Sequence, residues 1–464
     1  MIGSARDSDR PAAARPGRGE RRIAIAVFLS ALVVYNANLR DISTGDSFPA
    51  RFLPLALLCH GTLYLDPVAQ AVRMEHSAHD AYWLAYARDG RLASHYPIVA
   101  PLLVTPLYIP TALVLAHHGW GNLRDVEIAG ELTEKLAASL VAAACSALMY
   151  LLLRRRLQRG RALLLTCAFA FGTETWSISS QALWQHGAAE LFATVALLAA
   201  SGEPTGAALA TSGAASGLLV ANRLPDLVLA GAFAVHALFW ARPRRRACWF
   251  AIGAAVPLAL LAVYDLALFG SFRGGYPPGV SVYLHNSLWV GLAGELFSPG
   301  KGLFVYMPFL LFLPACLRRA FPEPGPDRRL ALCMAAGTAL QILAYAKTDW
   351  RAGWCYGPRF ATDMLPLLVW LLAPIVASLG RRGLAGFAAA TCLAVFIQVI
   401  GVFYYPVGGS DLRLQAPATA GDPRVKAWSW ADAPPLVEYR AGPAHPFFID
   451  ILAGTRRNPG GTLP

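Results

Sequence analysis

Charge is what this sequence has least of. Asp, Glu, Lys and Arg together make 15% of its 464 residues, while 56% are hydrophobic. A soluble domain carries about a quarter charged residues, so little is left for a separate soluble domain. Also missing is any Cys-x-x-Cys spacing among the eight cysteines. Cys145, Cys167, Cys248, Cys316, Cys333 and Cys392 lie in or beside apolar runs and read as small buried hydrophobes. Cys59 and Cys355 fall in segments read as external, where a disulfide between them is open.

Sequence signals for several chemistries are absent. There is no Walker spacing, no Gly-x-Ser-x-Gly and no Ser/His/Asp arrangement, so a nucleotide loop or a serine hydrolase has no anchor. His60, His76, His79, His95, His117 and His118 make no helical His-x-x-x-His with a carboxylate partner. With no Asp-x-Asp in the first loop, neither a metal nor any other cofactor is implied. No short-period repeat of the solenoid kind occurs. The net charge of +12 resembles a nucleic-acid signal, but the basic residues cluster in short runs between apolar spans. That is the positive-inside pattern of membrane proteins, and nucleic-acid binding is not expected.

What is present is a succession of apolar runs long enough to cross hydrocarbon, the mark of an all-α polytopic membrane protein. Residues 1–22 are rich in Arg, Pro and Ala and are expected to be a disordered cytoplasmic segment. Arg6, Arg10, Arg15, Arg18, Arg21 and Arg22 place the N-terminus inside. The first span, 23–39, lacks a small-residue cleavage site after it and reads as a retained anchor. Phe48–Leu58 is expected to lie along the interface as a juxtamembrane helix, and Tyr82, Trp83 and Tyr86 continue that aromatic character. Residues 97–117 are apolar and proline-rich. If they spanned, Arg154–Arg156, Arg159 and Arg161 would lie outside, so they read as a re-entrant or juxtamembrane hairpin.

Residues 40–132 are then external. Further spans are expected at 133–153, 162–178, 187–201, 206–221, 225–241, 247–269, 303–317, 330–346, 364–379 and 383–404, making about eleven in a module covering 23–404. External loops fall at 270–302 and 347–363. The tail, 405–464, is external and Pro/Gly-rich, with Trp428 and Trp430.

The informative polar residues collect on the external side, which favours chemistry at one interface. Asp41 and Asp46 follow the first span, beside Thr44 and Gly45. Acids there are costly unless solvated or used. Asp46, helped by Asp41, is expected to be the acid/base carboxylate of a membrane-embedded transferase, and the residues leave open which of the two is the base. On the carboxylates alone, a solvated loop capping a short helix from Ser47 is the plainer reading.

Trp350, Arg351, Trp354, Tyr356 and Arg359 form the densest cluster. Aromatic faces suit sugar rings, and the arginine fork suits phosphate. Gly357 and Pro358 would set where Arg359 points. An interfacial aromatic belt with snorkelling arginine gives the same pattern. Ser298–Gly302 is a turn holding a second fixed cation, Lys301, which suits either phosphate or a helix start at the interface. His95 and Tyr96 lead into the proline-rich stretch and are expected to line the sugar and acceptor region. Arg223 and Asp226 sit at an apolar hairpin tip and are expected to neutralise one another.

Several stretches resemble the GT-C superfamily of polyprenyl-phosphate-sugar glycosyltransferases. They are Thr44-Gly-Asp-Ser-Phe-Pro-Ala-Arg-Phe-Leu-Pro54, His95-Tyr-Pro97, Gly217-Leu-Leu-Val-Ala-Asn-Arg-Leu-Pro225, Ser298-Pro-Gly-Lys-Gly-Leu-Phe-Val-Tyr306 and Trp354-Cys-Tyr-Gly-Pro-Arg359. The motifs are short, and the layout covers roughly 23–404, similar to the bacterial protein O-mannosyltransferase and lipid A aminoarabinose transferase group. The resemblance implies a bacterial inner-membrane enzyme, with its site on the periplasmic face and no metal. It would move a sugar from a polyprenyl-phosphate donor to a glycan, lipid or protein acceptor. Asp46 takes the position of the family's first-loop acid. Many members have Asp-Glu or Asp-Asp there; this chain has Asp-Ser, with its second acid at Asp41. Arg359, Lys301 and Arg351 would hold the donor phosphate, and His95, Tyr96, Trp350, Trp354 and Tyr356 the sugar and acceptor. A transporter or flippase of lipid-linked saccharides, or a non-catalytic membrane scaffold, are the alternatives. A flippase calls for polar groups reachable from both faces and symmetry between halves. A scaffold has no need of Asp46 beside clustered external cations.

Overall fold

The computed structural model describes residues 17–68, 82–118, 123–276, 284, 286–315, 326–410, 414 and 426–454. It is mostly helical. The long elements, in order, are α1 (Arg18–Asn36), α2 (Phe48–His60), the strands β1 (Leu84–Tyr86) and β2 (Leu92–Ser94), α3 (Val99–Val104), α4 (Ile109–His118), α5 (Leu123–Arg154) and α6 (Arg159–Phe171). There follow α7 (Gln185–Ala200), α8 (Gly206–Asn222), α9 (Leu227–Trp240), α10 (Cys248–Phe269), α11 (Leu288–Phe297), α12 (Pro326–Ala346), α13 (Leu365–Leu371) and α14 (Arg381–Phe403).

Among the described residues, six helical runs are long and apolar enough to cross a membrane: Val99–His117, Asp125–Arg154, Arg244–Phe269, Asp327–Ala346, Arg359–Ser378 and Arg381–Phe403. Shorter apolar helices accompany them, so the chain is a multi-pass membrane protein. The expected span at 303–317 is broken into a short helix, Leu303–Tyr306, and a 3-10 turn, Pro308–Phe312. Of the expected disordered segment, residues 1–16 lie outside the described residues, and residues 18–22 already belong to α1.

The hairpin expected over 97–117 does not form. The backbone stays right-handed from α3 through a 3-10 turn, Thr105–Tyr108, into α4. Pro97 precedes α3, and Pro101, Pro106 and Pro110 are tolerated because each falls within the first turn of its own short segment, where the missing N–H has no helical partner. Helix α2 also differs from a surface-lying helix: Pro49 to Ala56 are all buried. The anchor is Arg51, which packs against Phe48 and Phe52 and reaches Glu134 of α5.

Helices α8 and α10 make the tightest pair. Gly213 and Gly217 of α8 face Phe250 and Ala254 of α10, and Gly253 of α10 faces Ala210, where any Cβ would strike opposing backbone. Small residues four apart are the means by which helices in lipid approach closely.

The segment between α1 and α2 is pinned from several sides. Asn38 Nδ2 donates to Gln181 Oε1 at 2.8 Å, and Ile42 N to Gln181 O at 3.3 Å. Lys135 Nζ also donates to Gln181 Oε1, at 2.6 Å. Leu39 takes a left-handed φ of 50°, unfavourable for a branched side chain. It is held there because Phe448 N donates to its carbonyl and the next residue, Arg40, donates to Tyr405 O. The loop that carries Asp46 is therefore a fixed part of the structure.

Candidate active site

Asp46 sits at the end of that loop, just before α2. Its Oδ2 is paired with the Arg359 guanidinium. Its Oδ1 accepts the hydroxyls of Tyr96 at 2.5 Å and Tyr82 at 3.1 Å. The two tyrosines come together through the small antiparallel hairpin. Leu84 is opposite Ser94 in its register, and His95 N donates to Trp83 O at 3.0 Å. Continuing that register sets Tyr82 opposite Tyr96, and opposite residues of a hairpin project to one face. Burial would push the Asp46 carboxyl up, but Arg359 and the tyrosine hydroxyls outweigh it. The group lies below its ordinary value of 3.8 and is ionised at neutral pH. Its side chain is 22% exposed, so the site stays open to a ligand.

His95 lies beside these groups, its ring 5.1 Å from that of Tyr96 and 5.4 Å from that of Tyr276. Burial holds its imidazole below the ordinary 6.5 against the opposing pull of Asp46, so it is neutral at pH 7.

Arg359 opens a 3-10 turn, Arg359–Met364. Gly357 just before it has φ 79°, the left-handed region that glycine adopts freely. Lys301 Nζ donates to the Cys355 carbonyl and lies 3.3 Å from its sulfur. The Tyr356 hydroxyl donates to Ile397 O at 2.9 Å, and its ring packs against Tyr306 and Tyr405. On the other side, Asp363 of the same turn accepts from Arg223 and bonds His186 Nδ1 at 2.6 Å. Arg223 also donates to Tyr345, whose ring stacks on Phe360 at 5.0 Å. The arginine is thus braced before and after. Its guanidinium lies 5.4 Å from the ring centres of both Trp184 and Phe360. Its Nε is buried with no hydrogen-bond partner. A buried donor left unpaired is costly and calls for an acceptor.

The residues singled out in the sequence divide accordingly. Asp46, Arg359, Tyr96 and His95 are brought together. Asp41 is engaged elsewhere: it accepts from Arg51 at 2.7 Å and from Ser43 at 2.5 Å. Lys301 is buried under the turn, its ammonium taken by Cys355. Arg351 pairs with its neighbour Asp349 at 3.0 Å. Trp350 is buried, 6.4 Å ring to ring from Trp428. Tyr356 is buried behind Arg359, and Trp354 is exposed on the same loop. Arg223 finds Asp363 closer than Asp226, which is 3.9 Å away, so the expected self-neutralising pair extends to a third residue. Cys59 and Cys355 are both free thiols, without the bridge left open above.

Sequence reading passed over Tyr82 and Trp184 as site residues. The signal for Tyr82 was Asp89-Gly90, a hairpin-turn dipeptide, standing between Tyr82 and Tyr96. For Trp184 there was none, because its place depends on a hydrogen bond of 3.3 Å from its ring nitrogen to the distant Ile42 carbonyl. Trp184 also edges a small apolar crevice lined by Ala100, Leu103, Val104, Ala138 and Val141. Among the described residues no three His, Cys, Asp or Glu side chains gather as a metal set.

No family model matches the chain, and no curated protein matches it. Among solved structures, the crystal structure of ArnT from Cupriavidus metallidurans in the apo state is similar. It is 14% identical, with 91% of this chain and 78% of that one covered and a TM-score of 0.47.

Proposed function

We propose that this chain is a GT-C-like inverting glycosyltransferase of a bacterial inner membrane. It moves a sugar from a polyprenyl-phosphate donor to an acceptor hydroxyl at the periplasmic face. The observation that carries this reading is the Asp46–Arg359 pair: an ionised carboxylate and an arginine with an unused buried donor, side by side at an open site. Asp46 takes the proton of the acceptor hydroxyl as its oxygen attacks the anomeric carbon. The bond from that carbon to the phosphate oxygen breaks, and the lipid phosphate leaves with its charge met by Arg359, whose planar fork fits two phosphate oxygens. Tyr96 and Tyr82 orient the carboxylate. His95, Trp184 and Trp354 supply rings for sugar and acceptor, and the apolar helices around the site suit a lipid-borne donor. Lys301 and Tyr356 act by fixing the turn that presents Arg359. Asp41 is assigned to holding the loop, and Trp350 and Arg351 to the packing of 347–359.

The test is turnover of a polyprenyl-phosphate sugar by the full chain in sealed right-side-out membrane vesicles. The expected result is transfer to an acceptor supplied outside, undiminished by EDTA, with nucleotide sugars inert. Activity that needs a nucleotide sugar plus a divalent metal overturns the donor assignment. Activity confined to inverted vesicles overturns the periplasmic face.

A further inference from the structure

A carboxylate acts as a base through a free lone pair that faces the proton it takes. Asp46 has both oxygens occupied, Oδ2 by Arg359 and Oδ1 by Tyr96 and Tyr82. Charge-assisted hydrogen bonds of this kind are strong and favour the ionised form, which makes the group a poor proton acceptor. Arg359 is in the opposite condition. A guanidinium has five N–H donors, and here the Nε–H is buried and unpaired while the guanidinium carbon lies over the rings of Trp184 and Phe360. The arginine has donors to spare; the carboxylate has Oδ1 filled by two hydroxyls and a single lone pair left on Oδ2, beside the cation that lowers its basicity. His95, a further titratable neighbour, is neutral and so does not act as a second cation beside Asp46.

We propose that the donor phosphate takes Arg359 from Asp46 on binding, so that Asp46 becomes an effective base only in the donor complex and the substrates add in order, donor first. The proposal rests on the lipid-phosphate reading above. As the guanidinium turns from Asp46 to the phosphodiester, its fork meets two phosphate oxygens, and the Nε–H that is buried and unpaired without donor becomes one of the donors open to them. Loss of its cation makes Asp46 more basic and frees Oδ2 for the acceptor hydroxyl. Tyr96 and Tyr82 stay on Oδ1 and keep the carboxylate aimed. Without donor, the base remains masked.

The exchange sets Asp46 and the phosphate in competition for one arginine, and that competition is measurable without knowing sugar or acceptor. Binding of a polyprenyl monophosphate to the full chain in lipid nanodiscs is compared for wild type, Asp46→Asn, Arg359→Gln and the double variant. Couplings of this kind amount to about 5–150-fold, and Asp46→Asn is expected to bind about tenfold tighter than wild type. That gain is expected to vanish in the Arg359→Gln background, because it passes through the arginine. Simple relief of repulsion between Asp46 and the phosphate would leave the gain intact there, and that result overturns the exchange. Equal or weaker binding by Asp46→Asn overturns it as well, while leaving the lipid-phosphate reading in place. Absence of binding in all four proteins removes that reading, and the exchange with it.

Discussion

Two aspartates of one loop, each paired with an arginine, stand in opposite circumstances. Asp41 and its partner Arg51 are 5% and 3% exposed, and the arginine is shared with Glu134 and with Glu131 at 3.6 Å. Glu134 in turn accepts Leu183 N at 2.9 Å. That cluster ties the first loop, α2, α5 and the segment before α7 into one piece. Asp46 and Arg359 are 22% and 11% exposed, and one arginine nitrogen has no partner. The first pair is closed and satisfied within the protein; the second is open and short of an acceptor. Burial and completeness of hydrogen bonding, more than the presence of a carboxylate, separate a structural acid from one fit to meet a substrate.

The difference is sharpest at the arginines. Arg359→Lys keeps the charge but loses the fork, and turnover per folded protein is expected to fall by about 10²–10³, the cost of removing one transition-state donor. Steady-state rates at saturating donor measure it, and an unchanged rate would reduce Arg359 to a mere counter-ion. Glu134→Gln attacks the closed pair instead. It removes one charge from around a buried arginine and is expected to cost about 3–5 kcal/mol of stability. Thermal or denaturant unfolding in detergent reads that loss, while turnover per folded molecule changes little. A comparable loss of turnover in folded protein would mean the closed cluster takes part in the chemistry. Smallest of all is the effect of Arg351→Ala. Its partly exposed pair with Asp349 contributes about 0–1 kcal/mol, and both stability and rate are expected to stay near wild type. A large fall in donor affinity would bring Arg351 back as a phosphate ligand.

Composition and apolar runs made the membrane class and most helix positions legible in the sequence, because each run must bury its backbone polar groups in helices wherever lipid surrounds it. The stretch 97–117 was read as a hairpin because a span there would set Arg154–Arg156, Arg159 and Arg161 outside and because prolines suit a break, yet those at 101, 106 and 110 each fall in the first turn of a short helical segment and leave the run unbroken. At the site, Asp46 and Arg359 were each visible singly, one as an acid beside a span and the other after a Gly-Pro turn. Their pairing across more than three hundred residues was not, and neither was the capture of Lys301 by Cys355, since both are set by tertiary packing. Asp41 and Asp46 look alike in sequence. Only their partners, Arg51 ten residues on and Arg359 in a distant loop, distinguish them.

The central claim is that Asp46 is the base and Asp41 a strut, and paired asparagine variants test it most directly. Asp46→Asn and Asp41→Asn both keep side-chain size while removing a carboxylate. With a polyprenyl-phosphate sugar as donor and rates normalised to folded protein, Asp46→Asn is expected to lose about 10²–10⁴ in turnover. Asp41→Asn is expected to lose stability but retain most of its turnover. Near wild-type turnover in Asp46→Asn, or a dead but folded Asp41→Asn beside an active Asp46→Asn, would contradict the account.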